Sequence, residues 1–105
     1  MYVDPVEFRK VMTGDLSQDK TNVTASAQRP VSFNIATELS EFAAWHTVPS
    51  FAIVATQDNT IGTANELATA QRAHARTVEV QASQFVMISK PEAVVRVIES
   101  AVGQR

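Results

Sequence analysis

The second half of the chain carries the clearer hydrophobic pattern, and residues 50–56 form a nearly unbroken apolar run. The run has no helical period, which is typical of a strand covered on both faces within a parallel sheet. A polar turn at residues 57–62 follows it. Residues 77–81 alternate between apolar and polar side chains, and this alternation predicts a second, shorter strand.

Two capping-box patterns predict helices after these strands. Thr63 and Glu66 have the required spacing, and we expect a helix running from there to about His74. Ser89 and Glu92 repeat the spacing ahead of an apolar stripe with the period of a helix. The resulting order of strand, helix, strand and helix predicts a βαβα unit with two parallel strands and a right-handed crossover.

Residues 1–47 predict helices and loops rather than strands. Asp4 is followed by proline, which favours a helix start there, and a second helix is expected over residues 17–28. Residues 31–35 predict a short helix or an extended piece, and residues 36–48 a connecting loop. The aromatic side chains of this region are expected to pack in the core or in a lid rather than to form a ligand platform; they are Phe33, Phe42 and Trp45.

Composition and charge exclude several classes of protein. The 105 residues include 9 basic and 11 acidic side chains and carry a net charge of −2, which predicts no nucleic-acid partner. No stretch reaches the roughly 18 apolar residues of a membrane helix, so we expect no membrane partner and a cytoplasmic location. The chain has no cysteine, two distant histidines and only isolated glycines, which predicts neither a metal site nor a cofactor. The length predicts a single domain over residues 1–105.

Polar residues follow both predicted strands. Because the carboxyl ends of parallel strands meet at one edge of a sheet, we expect Asp58 and Gln84 to face each other across the same rim. The alternative for Asp58 is a local role, in which its side chain stabilises the turn. His46 and His74 precede the two strands, and we therefore expect them at the opposite end of the sheet in surface or packing roles.

These residues resemble a known family. The stretch VPSFAIVATQDNTI (48–61) resembles the late strand and acid loop of the α/β-hydrolase superfamily, and TVEVQASQFVMISKPEAV (77–94) resembles its final strand, histidine loop and C-terminal helix. Residues 2–5 and 28–30 are similar to the lid segment of small bacterial esterase-like members. The resemblance therefore implies a lid-like segment at residues 1–47 and the C-terminal, βαβα half of a hydrolase fold at residues 48–105.

The resemblance also implies which catalytic positions are present. Asp58 falls at the position of the triad acid, and Gln84 falls at the position of the triad histidine. The Gly-x-Ser-x-Gly elbow that carries the nucleophile is not in the sequence, and the oxyanion hole belongs to the same region. Glutamine cannot accept a proton near neutral pH, and losing the histidine of a triad costs on the order of 10⁶ in kcat.

Two strands make a sheet that is too small to stand alone, and the strand at residues 51–55 would have an open edge. We expect a second copy in a homo-oligomer, most simply a dimer, to cover this edge and complete the three layers. A separate partner protein or the N-terminal helices are the alternatives. The predicted function is a non-catalytic binding or assembly module derived from a hydrolase. The alternatives are an esterase-like enzyme for a small ester or acyl substrate, completed by a separate N-terminal half, and a truncated product without a selected function.

Overall fold

The computed structural model describes residues 1–103 and has a mixed α/β architecture. Two 3-10 turns, at Phe33–Ala36 and Ala44–His46, lie in the long connection between the N-terminal helices and the sheet. The elements in chain order are α1 (Phe8–Met12), α2 (Gln18–Ser26), β1 (Phe51–Ala55), α3 (Thr63–Arg72), β2 (Arg76–Val80), α4 (Val86–Ser89) and α5 (Pro91–Val102). The predicted order of strand, helix, strand and helix is confirmed, with the one-turn helix α4 added before the last helix.

The sheet consists of β1 and β2, which pair in parallel with Phe51 opposite Arg76 and Ala55 opposite Val80. The parallel pairing follows from the crossover through α3, since two adjacent parallel strands need a long connection. The carboxyl end of β1 is buried at Val54 and Ala55, whereas most of β2 is exposed. The expectation of a strand covered on both faces therefore holds for only part of β1.

The first predicted capping box is wrong, because its two side chains bind the neighbouring strand. Gly62 is the N-cap of α3, with a φ of 89° that a side chain would disfavour, and no side chain caps the helix. The Thr63 hydroxyl instead donates to the carbonyl oxygen of Ala55 at 2.8 Å. The Glu66 carboxyl group accepts from the N–H of Ala55, also at 2.8 Å. Both side chains therefore bind the last residue of β1.

The second predicted capping box is also wrong. Lys90 is the N-cap of α5, and no side chain caps this helix. Pro91 occupies the first helical position, where a residue without an N–H leaves one fewer donor to satisfy. Ser89 does not cap the helix, and its hydroxyl is buried.

The N-terminal helices are held together by a small buried cluster. The predicted start of the second helix at residue 17 is confirmed, since Ser17 is the N-cap of α2 and its side chain accepts from the N–H of Lys20 at 3.3 Å. The first helix begins later than predicted, at Phe8, because the carboxylate of Asp4 accepts from the N–H of Val6 and forms a turn. The hydroxyls of Thr13, which follows α1, and Thr21, in α2, are buried and share a hydrogen bond of 2.8 Å.

These helices contact the carboxyl end of the sheet, where the polar residues lie. The Asn59 amide donates to the carbonyl oxygen of Lys10 at 3.1 Å, and the Thr60 hydroxyl donates to that of Val11 at 2.7 Å. Phe8 is 1% exposed, and its ring centre lies 6.1 Å from that of Phe85. The end of α1 and the loop that follows β1 are therefore fixed to each other.

The long connection before β1, residues 31–48, is here called the apolar segment. Its large apolar side chains are exposed; they are Val31, Phe33, Ile35, Leu39, Phe42 and Val48. Of the two predicted roles, packing in the core or in a lid, core packing is therefore wrong for Phe33 and Phe42. Trp45 is half-buried, and its ring centre lies 3.8 Å from that of His46. Within residues 1–103, no helix has both the length and the apolar character needed to cross a membrane.

Candidate functional site

The candidate site lies in the loop after β1 and centres on Asp58. This side chain is only 5% exposed, and its Oδ1 accepts from the N–H of Thr60 at 2.6 Å and from that of Ile61 at 3.3 Å. These bonds form a local turn around the carboxylate, so the turn-stabilising role considered for Asp58 is present. The carboxylate is held at the carboxyl end of β1, the edge where open parallel sheets bind ligands.

Gln84 meets Asp58 from the loop after β2. With its amide nitrogen facing the carboxylate, the side chain donates to Oδ2 at 2.8 Å and to Oδ1 at 3.2 Å. The opposite orientation would place the amide oxygen against a negative carboxylate, so the hydrogen-bond network fixes this one. The two residues that the sequence predicts at one rim are in direct contact in the structure.

Glu66 is a third member of the site, although the sequence pattern around it predicts only a helix cap. Burial, the hydrogen bond with Asp58 and the charge of Asp58 together raise the pKa of its carboxyl group to about 7, although the hydrogen bond from the N–H of Ala55 acts to lower it. Burial also acts to raise the pKa of Asp58, but hydrogen bonds from Glu66 and from the backbone of Thr60 and Ile61 outweigh it and hold that pKa below its ordinary value. The pair therefore keeps one proton, on Glu66, up to near neutral pH.

With the proton on Glu66, the hydrogen bonds between Glu66, Asp58, Gln84 and the backbone can all form together. The protonated Glu66 donates to Asp58, while its other role, accepting from the N–H of Ala55, is kept. The Asp58 carboxylate thus accepts from Glu66, from the Gln84 amide and from the backbone. A carboxylate saturated with donors is stable in its charged form, and neither it nor the amide beside it is available to take a proton from a substrate.

Ser83 precedes Gln84 and lies in a separate contact. Its hydroxyl is buried and donates to the carboxylate of Asp15, in the connection between α1 and α2. Burial acts to raise the pKa of Asp15, but the hydrogen bond from Ser83 and others lower it below its ordinary value. The contact fixes the loop that carries Gln84 against the N-terminal helices. The sequence gives no signal for it, because the two residues are 68 positions apart.

The two histidines lie outside this cluster. His74 adopts a positive φ of 51° two residues before β2 begins, and His46 belongs to the 3-10 turn that precedes β1. Both precede the amino ends of the strands, whereas the Asp58 loop follows a carboxyl end. Within residues 1–103, no group of three or more metal-ligating side chains is present.

The outer edge of β1 is open over part of its length. The N–H of Arg76 bonds to the carbonyl oxygen of Ser50, and the N–H of Thr56 bonds to that of Val80, so the even-numbered residues of β1 face β2. Since alternate residues of a strand turn their backbone groups to opposite edges, Phe51 and Ile53 face away from β2. Within the described part of the chain, this outer edge is hydrogen-bonded only at Ala55, by the side chains of Thr63 and Glu66.

A groove of about 400 Å³, here called the β1 groove, runs along this open edge. Its floor is the face of α3 that carries small side chains, Thr69, Ala70 and Ala73, and it ends at Glu66 and Gln84. Glu66 is the one acidic side chain among the residues that line it. The groove therefore joins an apolar surface, unpaired backbone groups and the polar cluster around Asp58.

A second groove of about 420 Å³, here called the β2–α5 groove, is lined mainly by residues of β2 and α5. Apolar lining comes from Val78, Val80, Ala93 and Val97. Charged lining residues surround them; the basic ones are Arg76, Lys90 and Arg96, and the acidic ones are Glu79 and Glu92. The described part of the chain thus has one partly apolar groove along β1 and α3 and another along β2 and α5.

Comparison with protein-family models, with curated proteins and with solved structures finds no match to this chain. Evidence on function therefore comes from the geometry of Asp58, Gln84 and Glu66 and from the open edge of β1.

Proposed function

We propose that this protein is a non-catalytic assembly module, related to the C-terminal half of the α/β-hydrolase superfamily, that binds another polypeptide strand along the outer edge of β1. The observation that carries the proposal is the pair of free backbone positions at Phe51 and Ile53 beside an apolar groove. Unpaired backbone groups on an edge strand are a template for another strand. A second copy of the chain, forming a homo-oligomer in the cytoplasm, is the simplest source of that strand.

The polar cluster supports a non-catalytic role. Gln84 stands where the resemblance expects the triad histidine, and its amide is bound to the carboxylate of Asp58. An amide neither accepts nor releases protons near neutral pH, so this pair lacks general-base chemistry. The hydrogen bonds instead fix the ends of both strands to each other, which keeps the edge of β1 in one position for a partner.

Residue-resolved amide hydrogen exchange tests the assembly. Addition of a strand would pair the N–H groups of Phe51 and Ile53, so we expect their exchange to slow as the protein concentration is raised. The N–H of Val54 faces β2 and serves as the internal control, since its protection should change much less. Sedimentation over the same concentrations gives the mass of the species. Concentration-independent exchange at Ile53, with a monomeric mass throughout, would contradict the proposal.

Ile53→Pro provides a matched variant, because proline removes an N–H that faces away from β2 and no hydrogen bond of the sheet. We expect it to abolish assembly through this edge. Far-ultraviolet circular dichroism checks that the variant keeps its fold. An oligomer of unchanged stability in a folded Ile53→Pro variant would show that the outer edge of β1 is not the interface.

A second candidate function is an esterase-like hydrolase completed by a separate N-terminal half that supplies the nucleophile. The observation that favours it is the buried Asp58 carboxylate, which faces the side chain at the expected histidine position. The test is a panel of chromogenic esters with the full chain co-expressed with a polypeptide that carries a Gly-x-Ser-x-Gly elbow. If Gln84→His leaves every activity at background in a complex that does assemble, this second function is excluded.

A further inference from the structure

The apolar segment, residues 31–48, is a second surface on which apolar side chains are exposed to solvent. Leu39 is 92% exposed and Phe42 is 86% exposed, and four further large apolar side chains of the segment are exposed beside them. Monomeric proteins rarely expose so many large apolar side chains along one stretch, and such patches mark interaction sites. The segment does not lie in a groove of its own chain, since its side chains would then be buried.

The β2–α5 groove offers an apolar floor of matching character. Val78 projects into it and is 45% exposed, although it lies in the middle of a strand. With Val80, Ala93 and Val97, it forms an apolar surface between β2 and α5. Apolar side chains that bind there would be removed from contact with water and would also cover the apolar surface of the groove, which favours binding.

The charges of the two surfaces are complementary. No lysine or arginine occurs between Arg29 and Arg72, so the apolar segment carries Glu38 and Glu41 without a basic residue. The groove has three cations, Arg76, Lys90 and Arg96, against two glutamates. Opposite charge steers two surfaces together and opposes pairing of the segment with acidic surfaces.

We propose that the apolar segment of a second copy of this chain occupies the β2–α5 groove, and that the exchange is reciprocal. Each copy carries one segment and one groove, so a twofold dimer covers both surfaces of both chains and leaves neither unmatched. This interface is distinct from the outer edge of β1 on which the proposed function rests. Among the described residues, the two grooves share only Phe51 in their linings, so the two interfaces use largely different residues.

Light scattering and sedimentation equilibrium on the full chain test the proposal. Leu39→Ser and Phe42→Ser remove exposed side chains, so the monomer fold should be unaffected. We expect the double variant to raise the dissociation constant of the dimer by about a hundredfold, since each side chain loses its burial in the interface. Val6→Ser and Val23→Ser are matched controls, because both valines are exposed outside the segment and should leave the constant unchanged.

Charge reversal gives a second, independent measurement. Arg96→Glu in the groove should weaken the dimer, and Glu38→Lys with Glu41→Lys in the segment should weaken it as well. Combining the two sets restores opposite charges across the interface, and we expect the dimer to recover at least part of its stability. A structural defect in either variant would not be repaired in this way.

Three results would overturn the proposal. These are a monomer at every concentration, a dimer unaffected by the Leu39→Ser and Phe42→Ser double variant, and no recovery in the combined charge reversal. Failure here is distinguishable from failure of the proposed function. Amide protection at Ile53 reports on the outer edge of β1, whereas the change in dissociation constant of the Leu39→Ser and Phe42→Ser double variant reports on the groove. Protection at Ile53 together with a dimer that this double variant leaves unchanged would support the strand-edge assembly and exclude exchange of the apolar segment.

Discussion

Asp58 shows how a carboxylate can remain charged at a buried position. The backbone of Thr60 and Ile61, the amide of Gln84 and the protonated carboxyl group of Glu66 all donate to it. Each donor offsets part of the cost of removing a charge from water. The same hydrogen bonds hold the loop after β1 in place.

Replacing Gln84 by histidine tests how closely the site resembles an acid–histidine pair. A cationic imidazole at this position would face the carboxylate of Asp58, which favours the protonated ring. We expect the pKa of the introduced imidazole to lie above the ordinary value of about 6.5 by about one unit or more. A proton NMR titration measures it. Gln84→His combined with Asp58→Asn is the control, and an equally high pKa in that double variant would exclude Asp58 as the cause.

Replacing Glu66 by glutamine tests the shared proton. The pKa of Glu66 in the folded chain, about 7, lies above its ordinary value of 4.5. The folded chain therefore keeps a proton that the unfolded chain releases, and the free energy of unfolding falls as the pH rises from about 4.5 through about 7. Glutamine can donate to Asp58 and accept from Ala55 without titrating. We expect Glu66→Gln to exceed the wild type in stability by about 2 kcal/mol at pH 8 and to differ little at pH 5.

Urea unfolding at both pH values measures this difference. Glu99→Gln, at an exposed position on α5, is the matched control and should follow the wild type. Asp58 contributes in the opposite direction and in another range, since its lowered pKa gives stability that is lost as the pH falls below its ordinary value of 3.8. A pH dependence in Glu66→Gln equal to that of the wild type would contradict the assignment of the proton to Glu66.

At the scale of elements, a buried hydrogen bond connects α1 and α2. It joins the hydroxyl of Thr13, which follows α1, to that of Thr21 in α2. Thr13→Val leaves the Thr21 hydroxyl buried without a partner, and we expect a loss of about 1 to 3 kcal/mol in the free energy of unfolding. The double variant with Thr21→Val should lose less than the sum of the two single losses. Urea unfolding gives all three values. Thr24→Val, at a more exposed hydroxyl of α2, is the control.

The elements that could be predicted from sequence are those whose own order of apolar and polar residues indicates a strand or a helix. The apolar run of β1 and the stripe of α5 are such patterns, and both elements are present. The capping boxes could not be predicted in this way, because Thr63 and Glu66 bind any free backbone group within reach. In the fold, that group belongs to Ala55, and only the packing of α3 against β1 brings it there.

The candidate site could likewise be predicted from the sequence only in part. The meeting of Asp58 and Gln84 follows from the rule that parallel strands share a carboxyl edge. The third member, Glu66, comes from the helix between the strands, and its pKa depends on burial that no local pattern reveals. The contact of Asp15 with Ser83 depends on how α1 and α2 fold over the sheet, which a weakly periodic N-terminal half leaves undetermined.

At the scale of the whole molecule, 45% of the residues are apolar, but few large apolar side chains are fully covered. Phe8, Leu16 and Val54 are buried, while large side chains of the apolar segment and of α5 are exposed. The free energy of unfolding of a single chain is therefore expected to be small, since burial of apolar area is the main favourable contribution to folding.

Association should then determine how stable the protein is in solution. If folded copies bind each other and unfolded chains do not, the midpoint of thermal unfolding rises with protein concentration. We expect a rise of several degrees over roughly a hundredfold range of concentration. Circular dichroism at each concentration measures the midpoint. A midpoint that stays constant over this range would show that the chain folds and unfolds as a monomer.

The hydrogen bonds of Thr63 and Glu66 to Ala55 have a further consequence for solubility. They occupy the last outward-facing N–H and C=O of β1, so an incoming strand can pair only at Phe51 and Ile53. Fibrous stacking needs long, continuous pairing between flat edges, and an edge closed at one end by side chains of its own chain does not provide it. Strand pairing along the outer edge of β1 is therefore limited to a short stretch, which opposes growth of aggregates from this edge.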